Sequence, residues 1–166
     1  PVFSDYLKSI CNNDQLGVLN FFESFPYIQK RESYVFDSNT SYSLIELKQA
    51  DFMNGTVRIT KPGIYVLNEN IIFNPNENND FFPRMDQLSQ YPMGNSGPFH
   101  LGFFAAITIE SDNVILDLNG KTITQSSLHN IEQRFYAHIE LASSPFIPNQ
   151  GPGNFGSSIK MPKNVC

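Results

Sequence analysis

Three short stretches of this chain echo one another at fifty-residue intervals: Arg58-Ile59-Thr60-Lys61-Pro62-Gly63-Ile64, Thr108-Ile109-Glu110-Ser111-Asp112-Asn113-Val114 and Ser158-Ile159-Lys160-Met161-Pro162-Lys163-Asn164-Val165. In each, a strand ends, a polar corner of Pro, Gly, Asn or Asp follows, and an apolar strand begins. Such an echo confines the chain to architectures that stack similar strand-corner-strand units. The first two copies run further in step, Ile64-Tyr65-Val66 against Val114-Ile115-Leu116 and Asn70-Ile71-Ile72-Phe73 against Gly120-Lys121-Thr122-Ile123. The third runs out at Cys166, and with Pro1 rather than Met at the start the chain reads as a fragment or a processed piece.

A chain of 166 residues is long enough for one domain with a real core. With 40% hydrophobic and only 16% charged residues, fifteen Phe and no Trp, the composition is that of a packed chain and not a disordered one. Asn clusters such as Asn12-Asn13-Asp14 and Asp117-Leu118-Asn119-Gly120 mark corners, because Asn tolerates turns and the left-handed conformation. A net charge of −5 without a Lys/Arg run argues against a surface that neutralises nucleic-acid phosphates. Cys11 and Cys166 lie at opposite ends with no metal-ligand spacing, so neither a zinc site nor a disulfide framework follows. No stretch approaches the length of a membrane-spanning helix, and the polar residues Asp5, Lys8 and Asn12 to Asp14 exclude a signal sequence at the start. These facts leave localisation open, with a virion or extracellular setting as the candidates.

Residues 1–33 are expected to form a helical cap, with Ser4 and Asp14 as N-caps and Pro26 as the stop. A stacked structure needs such a lid because its first unit otherwise exposes core and strand edges. From Tyr34 the pattern is β, with short strands predicted around 34–36, 42–47, 56–60, 64–67, 71–73, 106–110, 114–118 and 121–125. Val114, Leu116 and Leu118 are expected on one face, with Asp117 on the other. Residues 34–166 thus read as strand units carrying insertions at about 74–104 and 126–156. Within the second insertion, residues 131–142 fit both a helical and an alternating pattern, and length together with Pro145 and Pro148 favours a helix.

The run Ile107 to Ile123, with its Glu110-Ser111-Asp112-Asn113 corner and Asp117-Leu118-Asn119-Gly120 ending, resembles the entry coils of right-handed parallel β-helix proteins, the pectin-lyase-like superfamily. The resemblance covers about residues 56–73, 106–125 and 157–166, and Phe135 to Phe155 is similar to a feature of uncharacterised β-helix proteins, some from large DNA viruses. It implies a mainly β fold: the N-terminal part of a right-handed parallel β-helix with a helical cap and long inserted loops. In enzymes of that superfamily, carboxylates, and in lyases calcium ligands and an arginine, line an exterior groove on middle coils.

Against that template no catalytic, cofactor-binding or metal-ligating residue is assigned. Asp117 is the best-placed carboxylate, yet it lacks the partner that glycoside hydrolysis needs and the acidic cluster that calcium needs. Asp112 reads as a turn residue bonding its own backbone. His138 and Glu140, with Arg134 one turn earlier, do not share a face on the expected helix. His100 and His129 stand isolated, with no neighbour to set a tautomer. Gly151 to Gly156 is no phosphate loop, since Pro152 removes a donor and no G-K-[ST] follows. Phe81, Phe82, Tyr91, Phe99, Phe103 and Phe104 stack on sugar rings in one reading and pin the first insertion to the β wall in the stronger one.

The expected function is a non-catalytic structural or interaction module, of a virus particle or cell surface, without cofactor. Its open C-terminal unit would be covered by a protein partner or by the remainder of the polypeptide. The alternative is the front end of a polysaccharide lyase or glycoside hydrolase whose catalytic coils lie beyond Cys166, with glycan as ligand.

Overall fold

The computed structural model describes residues 34–37, 40–76, 82–94, 97–133, 135–146 and 160–166. The expected helical cap over 1–33, the glycine-rich loop, Phe81 and Arg134 fall outside them. The chain separates into two compact units, Pro1–Ile45 and Glu46–Cys166. In the first, β1 (Tyr34–Asp37) and β2 (Thr40–Tyr42) form an antiparallel hairpin with an irregularity between Val35 and Asp37.

The second unit is mainly β, and the four strand pairings whose register is described in it are parallel. After β3 (Leu44–Leu47), which straddles the division, come β4 (Val57–Ile59), β5 (Gly63–Leu67), β6 (Ile71–Phe73), β7 (Ala105–Ile109), β8 (Val114–Asp117), β9 (Ile123–Gln125) and β10 (Ala137–Glu140). Three sheets result, with orders β10-β7-β4, β3-β5-β8 and β6-β9. Three consecutive strands, β4, β5 and β6, therefore each lie beside the strand three places later. Parallel neighbours need a long crossover, and here the crossover is made of the other strands and an excursion.

The register is close to the sequence echo without being identical to it. Val57 pairs with Ile107, fifty residues on, as the echo requires. Gly63 then pairs with Val114 and Ile64 with Ile115, fifty-one apart, and Ile71 pairs with Ile123, fifty-two apart. The in-step alignments of Ile64 with Val114 and of the Ile71 segment with Gly120 to Ile123 are therefore corrected by one and two residues. Asn113 (φ 56°) and Asn119 (φ 50°) sit in the left-handed conformation in the corners where the slippage arises. Asn tolerates that conformation better than other side chains, so a lengthened corner can turn there.

Strand burial departs from simple alternation. All five residues of β5 and all five of β7 are buried, as are both Val114 and Ile115, whereas Leu118 is 40% exposed and does not share the inward face. Strands covered on both faces read as continuous apolar runs, which Ile64 to Leu67 is. Phe52, Ile59, Ile64, Ile71, Phe73 and Ile107 form the core.

The first excursion is packed. It carries helix α1 (Met85–Leu88) and a 3-10 turn at Pro98–Leu101. Gln87 holds it together: Nε2 donates to the Asn54 carbonyl and to Asn76 Oδ1, while Oε1 accepts from the Arg84 amide. Tyr91 stacks on Phe99 at 3.9 Å and meets Phe103 edge-on, and Phe99, Phe103 and Phe104 are buried. These rings pin the loop, and only Phe82 of the described set is exposed.

The second excursion holds two elements where one helix was favoured. Helix α2 (Ser127–Glu132) ends before β10, and Ala137 and Ile139 of β10 pair with Ala105 and Ile107 of β7. The alternating pattern thus wins over residues 137–140, and the segment between β9 and β10 is only eleven residues long. A further bridge joins Val114 to Val165, so Asn164, also left-handed at φ 55°, stands beside Asn113 with Nδ2 donating to Asn113 Oδ1 at 3.1 Å.

Gly55 (φ 122°) tests the seat of the first excursion, because a Cβ there would run into the Phe103 and Tyr91 rings. Gly55→Ala is expected to lower unfolding stability by about 2–4 kcal/mol, measured by denaturant titration.

Candidate functional site

The side chains that chemistry could use converge on the outward face of the β10-β7-β4 sheet. Along β7, Ala105, Ile107 and Ile109 point one way, so Ala106, Thr108 and Glu110 point the other. Register then places Arg58 of β4 beside Thr108, and Thr108 beside Glu140 of β10. His138 and Glu140, two apart on a strand and not on a helix, share this face. The sequence reading missed the grouping because it favoured a helix there.

Arg58 and Glu110 form a bidentate pair, Nε to Oε1 at 2.8 Å and Nη2 to Oε2 at 2.7 Å. The Glu110 side chain is 1% exposed and that of Arg58 23%. Thr108 Oγ1 adds a third bond to Glu110 Oε1 at 2.8 Å. The Glu110 hydrogen bonds raise the Arg58 pKa, outweighing the opposite effect of burial. Tyr91 lies over the same end of the sheet, its phenol pushed up to about 12 by burial. Arg58 Nη1 also donates to the Gln90 carbonyl of the first excursion, at 3.4 Å. Glu140 keeps a more open position, and partial burial raises its pKa.

The other candidates do not join this face. Asp117 Oδ1 accepts from the Asn119 amide at 2.7 Å, a turn role. Asp112 bonds a neighbouring stretch and not its own backbone, Oδ1 accepting from the Lys163 amide at 2.6 Å. His100 is exposed in the 3-10 turn, away from any described ion pair.

His129 is 3% exposed and has neighbours that the sequence did not reveal. Asn130 Nδ2 donates to Gln125 Oε1 at 2.9 Å, which turns Gln125 Nε2 toward His129 Nδ1 at 2.7 Å. Nδ1 is therefore the acceptor and the proton sits on Nε2. The Phe103 carbonyl faces the ring without reaching hydrogen-bond geometry, so Nε2 has no partner among the described residues. Phe73 and Tyr136 stand edge-on to the imidazole, each at 5.2 Å. Burial lowers the His129 pKa to about 4. The Tyr136 hydroxyl and Glu132 Oε2 are likewise buried without a partner among the described residues.

No group of three or more metal-binding side chains gathers among the described residues, and no helix among them is long and apolar enough to cross a membrane. Comparison with protein families, with curated proteins and with solved structures finds no match.

The Arg58–Glu110 pair makes a direct test of the site. Arg58→Met leaves the Glu110 carboxylate buried without its counter-charge and is expected to cost about 3 kcal/mol. Arg58→Met with Glu110→Met should recover most of that loss, and a double-mutant cycle in denaturant measures it.

Proposed function

We propose that the chain is the N-terminal portion of a right-handed parallel β-helix, and that it acts as a non-catalytic structural or interaction module of a virus particle or cell surface. The three parallel pairings, in which β4, β5 and β6 each meet the strand three places later, support a coil in which one circuit of chain makes one rung. Parallel crossovers are right-handed in the great majority of folds, which supports the hand.

One observation carries the functional reading: apart from Glu140, the candidate carboxylates are spent on holding the chain to itself. Glu110 takes Arg58 and Thr108, Asp112 takes the Lys163 amide, and Asp117 takes the Asn119 amide. Asn119 Nδ2 donates to the Leu67 carbonyl, and Asn70 Oδ1 accepts from the Thr122 amide, so Asn side chains tie the same corners. Rigidity follows from such stitching, whereas catalysis needs carboxylates that are free to meet substrate. A protein partner or further chain covers the edges of β9 and β10, which no described strand pairs.

A second reading rests on Glu140. It stands one strand from Glu110 and two residues out of register, which by ordinary strand geometry separates the two Cα atoms by roughly 8 Å. Its raised pKa suits a general acid in the front end of a polysaccharide lyase or glycoside hydrolase acting on glycan.

Ile72 and Thr124 are register partners on exposed positions of β6 and β9. Under the rung arrangement, Ile72→Cys with Thr124→Cys closes a disulfide on mild oxidation, seen as a mass loss of about two protons, while Ile72→Cys with Leu128→Cys does not. Equal cross-linking of both pairs would sink the rung arrangement. Incubation with neutral and acidic polysaccharides should release no new chain ends; release that disappears in Glu140→Gln would replace the first reading with the second.

A further inference from the structure

We propose that α2 is an acid-released latch: protonation of His129 expels the helix that connects β9 to β10, while β10 keeps its place beside β7. The latch depends on strand register and hydrogen bonding, and it stands whichever function is correct.

The only side-chain hydrogen bond described for His129 is accepted, not donated. Gln125 Nε2 points at Nδ1 because Asn130 already holds Gln125 Oε1. A proton arriving from solvent on Nδ1 turns the acceptor into a donor, and two N–H groups then confront each other. Turning the Gln125 amide to relieve this would break its bond to Asn130. The second ring nitrogen already carries its proton and has no hydrogen-bond partner among the described residues, and the Phe103 carbonyl that faces the ring favours its charged form less than burial opposes it.

Among the described residues no charged group pairs with the imidazole. Phe73 of β6 and Tyr136 ahead of β10 press their rings on it, and burial holds the Tyr136 phenol neutral, well above its ordinary pKa. Glu132, on the same helix, makes no ion pair with His129, and its Oε2 is buried without a partner among the described residues. His138 of β10 meets Tyr136 edge-on at 5.2 Å. From β9 only the neutral Gln125 amide reaches the ring. A cation confined here is relieved by leaving.

What would leave is lightly held. Leu128 is 43% exposed and Ile131 81%, so neither contributes much apolar anchoring. Its other ties include the Ser126 cap, whose Oγ accepts from the His129 amide at 3.2 Å, the Ser126 amide bond to the Phe73 carbonyl at 2.9 Å and the Asn130 Nδ2 bond to Gln125 Oε1 at 2.9 Å. His129 is the buried residue of the helix and its main anchor.

The sign follows from linkage. The imidazole binds protons with a pKa of about 4 when latched and near the ordinary 6.5 when released, so release takes up a proton and is favoured as pH falls through 6.5 toward 4. Between pH 7.5 and pH 5 the opening equilibrium should rise about 30-fold.

Native-state hydrogen exchange on the whole chain reads this, after correction for the intrinsic pH dependence of exchange. Amides of residues 126–133 are expected to open about 30-fold more at pH 5 than at pH 7.5, with those of 105–109 and 137–140 changing far less. In His129→Gln, which keeps an acceptor for Gln125 without a titratable ring, the rise should vanish. A rise that persists in His129→Gln, or no rise in the parent chain, overturns the latch. If that variant does not fold, the NMR titration of the His129 ring decides: a midpoint below pH 5 supports the latch, and one at or above 6.5 overturns it.

Discussion

A strand with water on neither face and neighbours on both edges leaves no polar group free to go unmatched, and β7 is such a strand. Its backbone is shared with β4 on one side and β10 on the other, while Ala105, Ile107 and Ile109 fill the interior. Its Thr108 and the Glu110 just beyond its end are buried, so each needs a partner at close range. Arg58 supplies it for Glu110, and because Arg58 sits on β4 the pair also stitches one sheet edge to the next strand. The excursion, in turn, has to bring a carbonyl near Arg58 and an aromatic wall over Gly55, which Gln90, Tyr91 and Phe103 do.

Much of the strand layout was legible in the residues. The Pro62-Gly63 and Asp112-Asn113 corners lead into strands formed by the apolar runs after them, as expected, and those strands pair in parallel. Fixed spacing failed at the register because corners differ in length, and a period counted along the chain cannot see where a residue was gained. The helix favoured over 131–142 failed for a related reason. Its length argument treated as one element what is a six-residue helix followed by a four-residue strand, and short elements carry weak periodicity.

Less of the candidate site was legible. Glu110 and Arg58 are unremarkable in sequence, fifty-two residues apart, and only parallel pairing brings them together. His138 and Glu140 were dismissed on the wrong periodicity, although Ala137, Ile139 and Leu141 alternate with them in a manner that would have shown the shared face. His129 gave no signal at all, since the groups around it, Phe73, Phe103, Gln125 and Tyr136, come from four separate segments. Asp117, the carboxylate that looked best placed, is occupied by the amide of its own turn.

The left-handed asparagines have a bearing on how strands at unequal spacings stay paired. Asn113 and Asn164 occupy neighbouring corners fifty-one residues apart, side chain on side chain, each turning through the left-handed conformation. A corner that turns through one such residue absorbs an added position without shifting the strand beyond it off its neighbour. The spacing between paired strands can therefore change by single residues at such a corner while the strands beyond it stay paired, as the steps from fifty to fifty-one to fifty-two residues show.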